Sequence, residues 1–185
     1  SFYASFAVAN REPSRGNFVD ADPTKAFPVH EKLQNFEMGY ELIKNRFFIK
    51  TNLFLMNYKD QLALTGEIND VGDPVMVNVP KSYRFGMEIS AGVQILKSLK
   101  WSANLALSKN KIKDFTEFVD DWDSGIQRSK YLGTTNLSFS PELIANNLFA
   151  IDIYKGLSLS IITKYISKQY IDNTSSEDRK LDAYL

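Results

Sequence analysis

The chain has 185 residues, enough for one domain, and its 22 basic and 22 acidic side chains cancel to zero net charge. That balance gives no argument for nucleic acid or for an anionic membrane surface. The absence of cysteine excludes disulfides and thiolate metal sites, and the single histidine, His30, excludes a His-based metal cluster or catalytic triad. Aromatic residues make up 13%, which favours strands. No run of ~18 apolar residues exists, so a transmembrane helix is excluded, whereas a membrane barrel, crossing in spans of ~10 alternating residues, is not.

In chain order, Phe2, Ala4, Phe6 and Val8 alternate as one face of a first strand. A polar connection from 10 to 32 follows, carrying Pro13, Gly16, Pro23 and Pro28. Next comes a hairpin, Gln34–Asn57, turning at Lys44-Asn45. In its first arm Phe36, Met38, Tyr40 and Leu42 alternate with Asn35, Glu37, Gly39 and Glu41, so one face is apolar and the other charged. A long connection is expected over 59–82, with turn chemistry around Asp70, Gly72, Asp73 and Pro74; its ends, Gln61–Leu64 and Val75–Val79, can prolong the flanking strands.

From Arg84 the alternation is cleanest. Phe85, Met87, Ile89, Ala91, Val93 and Ile95 share one face, and Arg84, Gly86, Glu88, Ser90, Gly92 and Gln94 the other. Lys97-Ser98 makes a second tight turn, and Leu99, Trp101, Ala103, Leu105 and Leu107 line the return arm. A third polar connection is expected over 111–130. The segment Tyr131–Tyr154 reads as one long strand bulged or kinked near Pro141, or as two strands turning at Ser140-Pro141-Glu142. Lys155-Gly156 is the third tight turn. Leu157, Leu159, Ile161 and Tyr165 follow, then a polar link over 172–179 and the start of another strand. No secretory signal pattern is present, and the strand patterns at Phe2-Tyr3 and Asp182–Leu185 make the chain read as a piece of a longer protein.

Three tight turns alternate with long connections, so all short turns fall at one end of an antiparallel meander. Short turns on one side and long loops on the other are the asymmetry of outer-membrane barrels. Arms of 10 or more residues exceed the usual ~5–6 of soluble sheets and suit a tilted bilayer crossing. Glycines on the charged face (Gly39, Gly86, Gly92) suit a lumen wall that another element approaches. On this reading Phe36, Met38, Tyr40, Leu42, Met87, Ile89 and Val93 face lipid, while Glu37, Glu41 and Glu88 face the lumen. Alternation alone also fits a soluble sandwich with an apolar core.

Several runs resemble TonB-dependent outer-membrane receptors, especially those of Bacteroidetes. They are Tyr3-Ala4-Ser5-Phe6-Ala7-Val8-Ala9-Asn10-Arg11-Glu12-Pro13-Ser14-Arg15, Glu31–Glu41, Asn57–Leu62, Asn78–Arg84, Ser138-Phe139-Ser140-Pro141 and Lys164–Asn173. The resemblance implies an all-β up-and-down meander of seven or eight strands within a plugged barrel of about 22 strands. It also implies that the plug and the barrel ends lie outside this chain. The expected activity is non-enzymatic: TonB-energised uptake of a scarce nutrient such as a ferric siderophore, haem, cobalamin or an oligosaccharide. The partners implied are the TonB complex (through the plug), the extracellular ligand and outer-membrane lipid. On that reading Glu37, Glu41 and Glu88 meet the plug.

Candidate ligand contacts are few. Arg11, Glu12 and Arg15 at the base of the first long loop suit an anionic chelate, since arginine grips carboxylates bidentately; a local Arg–Glu network holding the loop is the plainer reading. Trp122, flanked by Asp120, Asp121 and Asp123, offers a stacking platform, but the acidic spacing is not that of a calcium loop. The remaining alternatives are a soluble all-β carbohydrate-binding module using Trp122 and a barrel hydrolase with paired loop carboxylates. No metal site, cofactor or nucleic-acid signature is expected.

Overall fold

The computed structural model describes residues 1–21, 26–69, 71–121 and 123–185. Eight antiparallel strands form one open sheet: β1 (Phe2–Arg11), β2 (Glu31–Ile43), β3 (Phe47–Ile68), β4 (Pro74–Leu96), β5 (Leu99–Asp121), β6 (Ile126–Asn136), β7 (Leu143–Tyr154) and β8 (Leu157–Ile166). Neighbours in sequence are neighbours in the sheet, except that β6 and β7 lie end to end along β5. Two short strands, β9 (Gln169–Tyr170) and β10 (Lys180–Leu181), pair with each other. The pairs Lys180–Tyr170, Leu181–Gln169 and Tyr184–Ile166 share one register, so the last residues begin the next strand of the meander.

Registry makes the alternation of the sequence into two continuous faces, because residues directly opposite one another project to the same side. One row joins Phe6, Phe36, Leu55 and Phe85; the next joins Ala4, Met38, Leu53, Met87 and Leu107. Further along come Tyr40, Thr51, Ile89 and Leu105, and then Phe47, Val93, Trp101 and Phe149. The Phe6 and Phe36 rings pack at 4.5 Å near one border of this apolar face, and Trp101 and Phe149 at 6.4 Å near the other. Ten residues of β4 separate Tyr83 from Val93. At ~3.4 Å per residue and a ~40° tilt they rise about 25 Å, the height of the apolar band of an outer-membrane barrel.

The opposite face carries Glu37, Glu41 and Glu88, with Lys50 bonded to Glu41 at 2.5 Å. Three glycines on this face, Gly39, Gly86 and Gly92, have a reason within the sheet itself. A Cβ at Gly39 would strike the Tyr3 ring, at Gly92 the Phe48 ring, and at Gly86 first the Leu107 carbonyl oxygen and then the Phe54 ring. Each glycine thus seats an aromatic ring from the adjacent strand of the same wall.

The turns at 44–46, 97–98 and 155–156 lie at one end. At the other, the long connections expected over 59–82 and 111–130 are mostly strand. β3 and β4 run on until only 69–73 remain between them, and β5 and β6 until only 122–125 remain. The sequence hid this because alternation breaks at two aspartates in left-handed conformation, Asp60 (φ +56°) and Asp114 (φ +54°), a region that Asp tolerates better than most residues. The bulge at Asp114 puts Ile112 and Phe115, three residues apart, into the same small core with Ala63, Val79 and Leu137. The first connection, expected as loop over 10–32, holds a helix, α1 (Arg15–Val19), whose N-cap Ser14 accepts from the Asn17 amide while the Asn17 side chain reaches back to Ser14 N.

The segment 137–142 is a kink in one broken strand. Four residue steps of β5 (107 to 111) face seven of the other side (136 to 143), and the surplus loops out. Phe139 takes φ +49° and donates its amide to Tyr170 O (2.8 Å), while Leu137 turns into the core.

Candidate functional site

The extended hairpins at the long-connection end, together with 172–179, enclose a recess with several charged and hydroxyl side chains in its lining. It has a volume of about 440 Å³ and is lined by Thr65, Glu67, Glu117, Asp120, Asp172 and Arg179. The link 172–179 folds back over it. Asn173 is buried, accepts from the Ser138 amide (2.8 Å) and donates to Leu64 O (2.9 Å), tying the kink to β3. Ser175 Oγ accepts from both nitrogens of Asn136, at 2.7 and 2.9 Å.

Arg179 closes the mouth. Its guanidinium reaches Asp172 at 3.0 Å and Glu117 at 3.2 Å. Asp172 and then Glu117 raise its pKa further, so it stays charged. Burial pushes Asp172 up, but hydrogen bonds from Thr174 and Arg179 outweigh it and hold the carboxyl below its ordinary value. At the outer rim, Lys180, Tyr170 and Lys168 hold the Glu177 carboxyl down at about 2. Lys180 donates at 2.8 Å and the Tyr170 hydroxyl at 2.7 Å.

A pH dependence follows from Glu177. Its folded value lies below the ordinary 4.5, so what it contributes is complete above about 4.5 and is lost as pH falls through about 2. Hydrogen exchange of 168–180 in the intact protein is expected to speed up across that window relative to the sheet, once corrected for the intrinsic pH dependence. A Glu177→Gln variant is expected to exchange at the faster level already at pH 6, and equal protection in variant and parent at pH 6 would refute the linkage.

The residues singled out from sequence fall in three places. Arg11 stands opposite Glu31 at the edge of the sheet and bonds it at 2.7 Å. The same Glu31 oxygen accepts from the Leu62 amide at 2.7 Å, so this buried carboxylate locks the loop base to β3. Glu12 and Arg15 are exposed beside it and, among the described residues, form no ion pair. Trp122 lies outside the described residues, as do Pro23 and Asp70. Glu37, Glu41 and Glu88 share one face, and Phe36, Met38, Tyr40, Leu42, Met87, Ile89 and Val93 the other. Of the candidate contacts named from sequence only Asp120, beside Trp122, lines the recess; its other polar groups lie in 59–82, 111–130 and 172–179, which read as ordinary connections. The signal available in 172–179 was its density of side chains that cap turns, Asp172-Asn173-Thr174-Ser175-Ser176.

Among the described residues no group of three or more His, Asp or Glu side chains is placed to hold a metal ion. What the arrangement offers is a continuous sheet wall with hydrogen-bonding hairpins at one end.

Comparison with known proteins agrees. A family described as "TonB dependent receptor-like, beta-barrel" matches residues 1–185. No curated protein sequence matches. Among solved structures, the copper transporter OprC superposes with a TM-score of 0.71 at 18% identity, over 99% of this chain and 27% of that one. The siderophore receptor PiuA from Acinetobacter baumannii gives 0.74 at 15% identity, over 99% and 26%. The ferric yersiniabactin uptake receptor FyuA from Yersinia pestis gives 0.68 at 16%, again over 99% and 26%. The chain thus spans about a quarter of the length of these structures. An antiparallel meander with all its tight turns at one end, two registered faces and a family match from first residue to last leave one assignment: the chain belongs to the β-barrel family of the TonB-dependent receptors, outer-membrane proteins of Gram-negative bacteria.

Proposed function

We propose that the protein to which this wall belongs imports a scarce nutrient, a ferric siderophore in the first instance, with energy delivered by the TonB complex through a plug. The supporting observation is the pair of registered faces. The apolar band is of bilayer height, so Phe36, Met38, Tyr40, Leu42, Met87, Ile89 and Val93 meet lipid. Glu37, Glu41 and Glu88 then look into the lumen, where plug cations complement them. The siderophore reading draws on two of the solved relatives, described as a ferric yersiniabactin uptake receptor and a siderophore receptor.

Within this chain Arg15 and Glu12, exposed and without an ion-pair partner among the described residues, are the ligand contacts this reading favours, with Arg11 committed to Glu31. A soluble carbohydrate module built on Trp122 is not favoured, since the family match leaves no part of the chain over. The test is uptake of a panel of radiolabelled ferric chelates by cells carrying the intact receptor. Arg15→Ala is expected to weaken binding of the true substrate about tenfold, the worth of one charge-assisted contact. Uptake that persists without the TonB complex, or no response to any iron chelate, would overturn the proposal.

A further inference from the structure

Sheet registry produces a feature that neither the receptor family nor the transport reading requires. Lys32 stands opposite Lys59, Lys59 opposite Lys81, and Lys81 opposite Lys113. Four ammonium groups therefore form one row across β2, β3, β4 and β5, on the same side as the apolar band and beyond its aromatic border at Phe36 and Phe85. Like charges directly opposite destabilise a sheet, so an uncompensated row of four opposes the fold. Compensation inside the chain is slight. Lys59 reaches only its neighbour Asp60, at 3.9 Å, and Lys113 lies over the Tyr83 ring, 5.8 Å from its centre. Among the described residues Lys32 and Lys81 have no ion-pair partner, and all four lysines are exposed.

The row borders a shallow recess of about 340 Å³, lined by Lys32, Gln34, Asn57, Lys59, Lys81 and Lys113. Beside it, where the kink at 137–142 interrupts the sheet, a larger concavity of about 1200 Å³ carries Lys109 and Lys168 along with the apolar Leu53, Met87 and Leu107 of the band. Basic groups thus sit at the border, and a partly apolar notch runs down from them.

We infer that this row binds the headgroup of an anionic lipid bearing more than one phosphate, with its acyl chains in the notch. Four lysines at the ~4.8 Å strand spacing span about 14 Å, too far for one phosphate to neutralise. The position, at the edge of the apolar face, is where headgroup phosphates stand, and charged side chains at that depth draw anionic lipids. A free polyanion would have no use for the apolar notch. The inference rests on the outward assignment of the apolar face made above, and the two are separable by experiment.

The intact barrel is purified and its affinity measured, by native mass spectrometry and in nanodiscs, for lipid A as a diphosphorylated lipid probe, with phosphatidylcholine as the neutral lipid and inorganic pyrophosphate as the free anion. Wild type is expected to bind lipid A at least tenfold more tightly than phosphatidylcholine, with affinity falling as salt rises. The variant with Lys32, Lys59, Lys81 and Lys113 all changed to Gln is expected to lose that preference, and the matching Arg variant to keep it. Bound lipid A is expected to raise the Tm of wild type more than that of the Gln variant, whereas a merely structural row would respond equally. If the quadruple variant does not assemble, Lys59→Gln with Lys81→Gln is expected to lose about half of the preference on a logarithmic scale. Undiminished lipid A binding by the Gln variant would overturn the inference, and so would a row saturated by pyrophosphate alone. A fluorophore at Met87, quenched or not by brominated acyl chains, reads the face assignment independently.

Discussion

Phe115→Ala is expected to cost about 3–5 kcal/mol in local stability, because a fully buried aromatic ring is removed from a core with little else to fill the gap. Phe115 and Ile112 are the two most enclosed side chains of the described residues, at 1% and 0% exposure. Around them stand only Ala63, Val79 and Leu137, with Leu132 at the margin. This cluster holds the β3–β4 and β5–β6 extensions together above the band, so the loss is local. Hydrogen exchange in the intact barrel is expected to show protection collapsing over 112–121 and 126–137 while 85–107 stays unchanged. Uniform exchange behaviour across both regions would show that the extensions do not form a separate cooperative unit.

Ile89→Arg acts on the other half of the molecule and is expected to cost about 2–4 kcal/mol, the price of a guanidinium near the bilayer midplane. Ile89 lies opposite Thr51 and Leu105, midway between the aromatic borders of the apolar face. Its neighbour Ser90, one residue on, stands on the opposite face, so Ser90→Arg is the matched control and is expected to be tolerated in a polar lumen. The readout is the fraction of receptor assembled in outer membranes together with its midpoint of urea unfolding in lipid. Equal tolerance of the two substitutions would mean that neither face meets hydrocarbon.

The wall was legible where the chain obeys a period of two without interruption. Phe36 to Leu42 and Phe85 to Ile95 declare a face by alternation alone, and the tight turns at Lys44, Lys97 and Lys155 then fix the end at which the short connections lie. Legibility fails where a residue leaves the extended conformation. Asp60 and Asp114 each reset the alternation, and the charge-dense run Lys111-Ile112-Lys113-Asp114 disguised as loop a strand that goes on to Asp121.

A second kind of information is absent from any one strand. The lysine row, the rings over Gly39, Gly86 and Gly92, and the Arg11–Glu31 lock are cross-strand facts that depend on register. Zero net charge conceals such a row completely, since composition sums what the sheet segregates. The ties of Asn173 to Leu64 and Ser138 span 109 and 35 residues, and no local pattern reports contacts at that distance.

The central claim, an apolar face in lipid and a charged face in the lumen of a TonB-dependent receptor barrel, is tested most directly by a fluorophore scan along β4 from Arg84 to Val93. Each position is labelled in turn through a single introduced cysteine in the intact receptor, reconstituted with brominated lipid. Strong quenching is expected at 85, 87, 89, 91 and 93 and weak quenching at 84, 86, 88, 90 and 92. Quenching that is uniform, absent or opposite in phase would contradict the assignment.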